Sequence, residues 1–292
     1  MAVIAPGVGD HPVISFADNT ARPPRWATAL LGDCAVVESG EGGLGVVTHD
    51  AGHHALVSVT LPGAVGLRRA ALESGVQAAY ETLGRVLGGC EARHAVRCWN
   101  FIPGILEPLG ELTHRYMAFN AGRYRAFEGW FRDRAAFDRT VPTASGVGHA
   151  GDDLVIHCLG ARERGAPVEN PLQVPSYRYS ARYGPLPPCF ARATRHHLGP
   201  GSAPVLLVGG TASIRGEEST HRDSFEAQAE ATLDNLAALV AAGVGAPARG
   251  TDPTALLHRF SYVRVYHPNA EHREAVAGIA RDGFGPHCDV EV

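Results

Sequence analysis

The order of secondary-structure signals repeats along this chain, and that repetition limits the possible folds more than any single motif does. In the first half, short β-like runs at 34–39, 44–49 and 55–61 precede a helical pattern at about 66–88. Leu72, Val76, Tyr80, Leu83 and Leu87 recur there at three- and four-residue spacing, which is one face of a helix. Gly88-Gly89 stops it. A strand (94–101), a helix from about 118 to 136, a turn-rich connection (141–151) and a strand (154–160) follow. The second half gives strands at 188–197 and 204–211, then a helix at about 221–242 with Phe225, Leu233, Leu236 and Val240 on its face. A strand at 259–268, a short helix at about 270–282 and a closing strand at 287–292 complete it. Both halves therefore read strand, strand, helix, strand, helix, strand, and internal duplication is the economical explanation. The expected fold is α/β (α+β): two tandem modules over 1–163 and 164–292, each a mixed sheet with helices packed on one face. The Pro-rich first thirty residues are expected to be irregular.

Composition narrows the partners. Hydrophobic residues make up 45% and charged residues 19%, enough for a sizeable core. The net charge is −4, and the 26 basic residues are all arginine without a clustered basic run, which argues against nucleic acid. No apolar run reaches the roughly 18 residues of a membrane span. The opening MAVIAPGVGDHPVISF lacks the basic and apolar regions of a secretory signal. The six cysteines form no C-x-x-C pair and read as small buried hydrophobes in a reducing compartment. The expectation is a cytoplasmic protein acting on a small molecule, with no membrane partner, and compatible with a homo-oligomer.

Several motifs dissolve on inspection. Gly146, Gly148 and Gly151 spell G-x-G-x-x-G but precede a strand, where a dinucleotide fingerprint should follow one, so an ordinary turn is expected. The pairs His53-His54 and His196-His197 sit in no zinc-type context, and adjacent strand residues face opposite ways, so neither a metal nor another cofactor is expected. Ser145 and Ser213 lie in Thr-Ala-Ser triplets, with no G-x-S-x-G elbow.

Three segments are more specific. Phe119-Asn120-Ala121-Gly122-Arg123-Tyr124-Arg125 places polar groups near a helix start, which an amphipathic helix alone does not explain. Glu169 to Pro185 packs Tyr177, Tyr179, Tyr183, Arg178 and Arg182 together, either as a wall for a planar anion or as an exposed β-edge. Val208-Gly209-Gly210-Thr211-Ala212-Ser213 ends a strand in small residues, where backbone can approach a ligand or make a tight turn.

The repeated pattern resembles two tandem modules of the RidA/YjgF type, through the Arg-bearing strand Tyr262-Val263-Arg264-Val265-Tyr266 and the closing Val290-Glu291-Val292. The three segments together resemble the motifs of the chorismatase family, over roughly residues 95 to 292. That resemblance implies a secondary-metabolism enzyme that cleaves chorismate to pyruvate plus a cyclohexadiene diol or a hydroxybenzoate. It implies that Arg264 clamps a substrate carboxylate and that Arg125, with Arg123 nearby, holds the other. Asn120, Tyr177, Tyr179, Gly210, Thr211 and Ser213 would line the ligand site. Glu291 would be the general acid, protonating the vinyl ether. Two positions depart from the family: Phe119 stands where a tyrosine is expected, and Phe284, seven residues before Glu291, where a small residue is. Both would make the pocket more apolar. That suits a runner-up reading, a cyclase or dehydratase building an aromatic ring. A third reading is a non-catalytic small-molecule binder.

Overall fold

The computed structural model describes residues 2–4, 14–15, 21–111, 113–131, 136–247 and 250–292. The chain begins with β1 (Ala2–Ile4), β2 (Ile14–Ser15), α1 (Arg25–Ala29), β3 (Ala35–Glu41), β4 (Leu44–Asp50) and β5 (His54–Leu61). Next come α2 (Arg69–Gly88), β6 (His94–Pro103), α3 (Arg115–Phe131), α4 (Phe137–Thr140), β7 (Thr143–His149) and β8 (Leu154–Ala161). Then follow β9 (Ala166–Val168), β10 (Ala193–His197), β11 (Pro204–Val208), the hairpin β12 (Ile214–Arg215) and β13 (Glu218–Ser219), and α5 (Phe225–Val244). The chain closes with α6 (Pro253–Leu257), β14 (Tyr262–Arg264), α7 (Arg273–Phe284) and β15 (Asp289–Glu291). These elements form two compact units. The first holds residues 19–167 and 176–191; the second holds 1–18, 168–175 and 192–292. The chain thus passes between units more than once, where the sequence reading had a single boundary.

In the first unit the strand order is β3-β4-β5-β8-β6-β7. Neighbours run antiparallel except β6 and β7, which are parallel. Helix α2 buries the stripe its spacing predicts, Leu72, Val76, Tyr80, Leu83 and Leu87. Helix α3 lies tight against it at Gly122, where an added Cβ would meet the Glu73 carbonyl oxygen at 2.4 Å and Val76 Cβ at 2.8 Å. The connection expected at 141–151 is instead a strand over most of its length, β7, in parallel register with β6. Gly146 there faces Tyr116, whose ring a Cβ would approach to 3.0 Å, so a glycine that reads as a turn serves close packing. Helix α3 is described from 115 to 131, and residues 132–135 of the expected helix lie outside the described residues.

In the second unit β10, β11, β1 and β14 pair antiparallel in that order, and β15 and then β2 continue in parallel. The expectation of an irregular N-terminus is corrected here. Strand β1 lies between β11 and β14, and its partners are some two hundred residues away, beyond any local signal. Helix α5 starts where the Ser224 hydroxyl accepts from the Ala227 N–H at 3.2 Å and ends at Gly245 with φ of 68°. The strands expected at 188–197 and 259–268 shorten to 193–197 and 262–264.

Candidate active site

Strands β14 and β15 run in parallel with Arg264 directly beside Glu291. Tyr262 and Arg264 are two residues apart, so both point to the same side of the sheet, while Val263 is buried in the hydrophobic core on the other. The Arg264 Nη2 donates to Glu291 Oε1 at 2.8 Å, and the Tyr262 hydroxyl donates to Glu291 Oε2. The Arg264 Nη1 also reaches the Tyr266 hydroxyl at 3.3 Å. Both charged side chains are only 7% exposed. Burial pushes the Tyr262 phenol well up, and Glu291 adds to this against the opposing pull of Arg264. Burial works against the Arg264 charge, but Tyr266, Tyr262 and Glu291 outweigh it, so its pKa rises. Sequence reasoning gave Arg264 and Glu291 separate roles. The structure binds them to each other, and it adds Tyr262, which the strand's alternation could have revealed.

The glycine-rich segment is held in the same unit by a residue the sequence reading missed. Asn235, fully buried on α5, donates to the carbonyls of Ala212 at 2.8 Å and Ile214 at 2.9 Å. The Asn235 carbonyl accepts from the Asn170 side chain at 2.8 Å. Gly216 N donates to Leu172 O at 2.9 Å, and Val174 N donates to Gly216 O at 2.9 Å. The second and third motif segments are thus tied together through one helix residue. Ser213 is turned inward onto Thr220, with oxygens 2.8 Å apart. Gly210 is exposed. The Thr211 hydroxyl is buried and has no hydrogen-bond partner among the described residues. Phe284 packs edge-on against Phe260, centroids 5.2 Å apart, in the second unit's core.

The remaining candidates lie in the first unit. Arg123 is 1% exposed and donates to Asn120 Oδ1 at 2.9 Å. Its guanidinium lies 5.1 Å from the Phe119 ring centroid and 5.6 Å from that of Phe190. No carboxylate pairs with it among the described residues. Burial opposes its charge, yet the neighbouring Tyr80, Tyr116 and Cys189 leave its pKa raised. Arg125 instead points outward and pairs with Glu73 at 2.9 Å. Phe119 is fully buried and stacks 6.3 Å from Tyr116. Tyr177 and Tyr179 sit in and just after a 3-10 turn (Ser176–Arg178), not on a β-edge. Arg178 covers the Tyr177 ring, and Tyr179 packs on Tyr183 with centroids 4.9 Å apart.

Among the described residues no group of three or more His, Cys, Asp or Glu could hold a metal ion. No described helix is long and apolar enough to cross a membrane.

Residues 33–160 match the family described as chorismatase FkbO/Hyg5-like, N-terminal. A 3-hydroxybenzoate synthase of Streptomyces hygroscopicus is 35% identical over 217 residues, covering 73% of this chain and 62% of that protein. A chorismatase of Streptomyces rapamycinicus is 32% identical over 214 residues, covering 71% and 60% respectively. A chorismatase crystal structure superposes with a TM-score of 0.67 at 23% identity, covering 87% of this chain and 72% of that one, which shows a shared fold. In sequence the chain is similar to these chorismatases and in fold it resembles one of them, and it spans about three fifths of the length of the curated relatives it matches.

Proposed function

We propose that the protein cleaves the enolpyruvyl ether of chorismate, releasing pyruvate and a dihydroxycyclohexadiene carboxylate or a hydroxybenzoate. The observation that carries this reading is the buried cluster of Arg264, Glu291 and Tyr262. Relatives named chorismatase and 3-hydroxybenzoate synthase support it. A vinyl ether breaks when an acid protonates its terminal methylene. Water captures the resulting oxocarbenium, and the hemiketal collapses to pyruvate and the dihydroxycyclohexadiene carboxylate; where a hydroxybenzoate is the product, one water is also lost from the ring as it becomes aromatic. Glu291 is the acid in this scheme, and its carboxylate then faces the cation it has made. Arg264 clamps a substrate carboxylate with its planar fork, and that contact competes with its bond to Glu291. Tyr262 keeps the Glu291 carboxyl oriented while this exchange occurs.

Within the first unit Arg123 is a better anion-binding candidate than Arg125, because Arg125 is already engaged by Glu73. A buried cation without an acidic partner is costly, and an anionic ligand would remove that cost. The Thr211 hydroxyl, beside the exposed Gly210, offers a further hydrogen bond. The site works on a small molecule, with no cofactor in any step.

The test is incubation with chorismate and enzymatic detection of pyruvate. Stoichiometric pyruvate release supports the reading. Chorismate left intact would reject it and favour the cyclase or dehydratase reading, which needs the same acid. An Arg264→Lys variant should lose turnover and affinity together, since lysine keeps the charge and loses the fork.

A further inference from the structure

Within the first unit, the C-terminal half of α2, the start of β6, the end of α3 and α4 wall a groove of about 470 Å³. That volume suits a small molecule. None of the candidate active-site residues lines it. Its floor is apolar and contains Leu87 and Ala126. Trp130 forms one side, its indole seated so closely on Gly84 that a Cβ there would lie 2.5 Å from Nε1. Behind the indole stand Phe127 and Tyr80, with centroids at 4.9 and 6.1 Å. The ring is thus fixed in place, yet its N–H is buried without an acceptor among the described residues.

The rim carries four arginines, Arg85, Arg93, Arg139 and Arg164. Several of the unit's other arginines are paired: Arg69 and Arg125 with Glu73, Arg115 with Glu107, Arg162 with Glu91. Arg85, at the groove's edge, is held by Glu41 at 2.5 Å. Arg93, Arg139 and Arg164 also line the groove, and none has a carboxylate partner among the described residues. The one carboxylate lining it among the described residues, Glu81, accepts from Gln77 at 2.8 Å. His94 reports the resulting field: burial first, then Arg164 and Arg93, hold its imidazole below the usual range.

We propose that this groove is a second ligand site, taking a planar aromatic molecule that carries a carboxylate or phosphate group. Guanidinium forks match either anion, and unpaired arginines brought to one rim repel one another until an anion joins them. The ring of the ligand packs beside Trp130 and Phe131.

The test titrates the full chain with benzoate, phenyl phosphate, inorganic phosphate and benzyl alcohol, following tryptophan emission and calorimetric heat. At least one aromatic anion should bind saturably and change the emission of Trp130, a signal absent from Trp130→Phe. The tighter of benzoate and phenyl phosphate identifies the anionic group. Inorganic phosphate and benzyl alcohol should bind at least about tenfold more weakly, since each lacks one half of the ligand. The double variant Arg93→Ala/Arg164→Ala should weaken the aromatic anion about tenfold or more, while Arg264→Lys should not. Absence of saturable binding by either aromatic anion overturns the proposal. So does equal affinity for inorganic phosphate, unchanged affinity in the double variant, or loss of the signal in Arg264→Lys alone.

Discussion

The two units share one scheme of strand pairing and differ in what they bury beside it. In the first, β4, β5, β8 and β6 pair antiparallel and β7 joins in parallel. In the second, β10, β11, β1 and β14 pair antiparallel and β15 joins in parallel. The strand at the middle of the pattern is β8 in one unit and the N-terminal β1 in the other. Each parallel pair carries a buried arginine. On β6, Arg97 donates to the Ser145 hydroxyl of β7 at 2.6 Å and to the carbonyl of Cys98. On β14, Arg264 donates to the Glu291 carboxylate of β15. Corresponding strands of the pattern thus carry a buried arginine that donates to neutral oxygens in one unit and to a titratable acid in the other. The second arrangement holds a carboxyl able to deliver a proton, and the proposed chemistry is placed there.

The comparison breaks most visibly on removal of the two arginines. Arg264→Met leaves Glu291 buried without its cation, and should cost the second unit about 3–5 kcal/mol. Arg97→Met strands neutral acceptors, the Ser145 hydroxyl and the Cys98 carbonyl, and should cost the first unit about 1–3 kcal/mol. Denaturant melts of both variants measure this, and equal losses would show that the partner's charge does not distinguish the two positions. A smaller effect is expected at Gly160, where a Cβ would meet the Ala92 carbonyl oxygen at 2.2 Å and Leu87 Cδ1 at 2.4 Å. Gly160→Ala should cost about 1–3 kcal/mol by overpacking, read as a lowered melting temperature with the Arg264–Glu291 pair intact.

How much of this was legible in the sequence depends on how local each signal is. Helices α2 and α5 were, because an apolar stripe at helical spacing needs no distant partner. Strand β1 was not, because three residues acquire strand character only from β11 and β14. Strand β7 was hidden by its glycines, which serve contact with Tyr116 and Ile105 rather than a turn. In the site, Arg264 and Glu291 could be picked out, but their mutual bond could not, because the parallel register that aligns them is a tertiary fact. Asn235 gave no signal, being one polar residue on an otherwise apolar helix face.

Weaker effects sharpen the contrast between buried and exposed charge. The Arg69 and Arg125 guanidiniums hold the Glu73 carboxyl below its ordinary range, although burial, the largest single influence, pushes it upward. A depressed carboxylate stabilises above its unfolded pKa and loses that contribution as pH falls through the folded value. Glu73→Gln should therefore flatten the acid side of the stability profile in thermal melts below the ordinary carboxylate range. An unchanged profile would remove Glu73 from the account. Arg125→Ala should be the mildest, within about 1 kcal/mol, because its side chain is 40% exposed and the pair is screened by solvent. Turnover should change little, whereas a large loss would return Arg125 to the substrate.

The most direct measurement is pyruvate release from chorismate by wild type and by Glu291→Gln, each with its fold checked by thermal melt. Glutamine can still accept from Arg264 and Tyr262, but it has no acidic proton to give. The account predicts that wild type releases pyruvate and that the folded variant is slower by about 10²–10⁴ in kcat, with little change in ligand affinity. A folded Glu291→Gln protein that releases pyruvate at nearly the wild-type rate would contradict it.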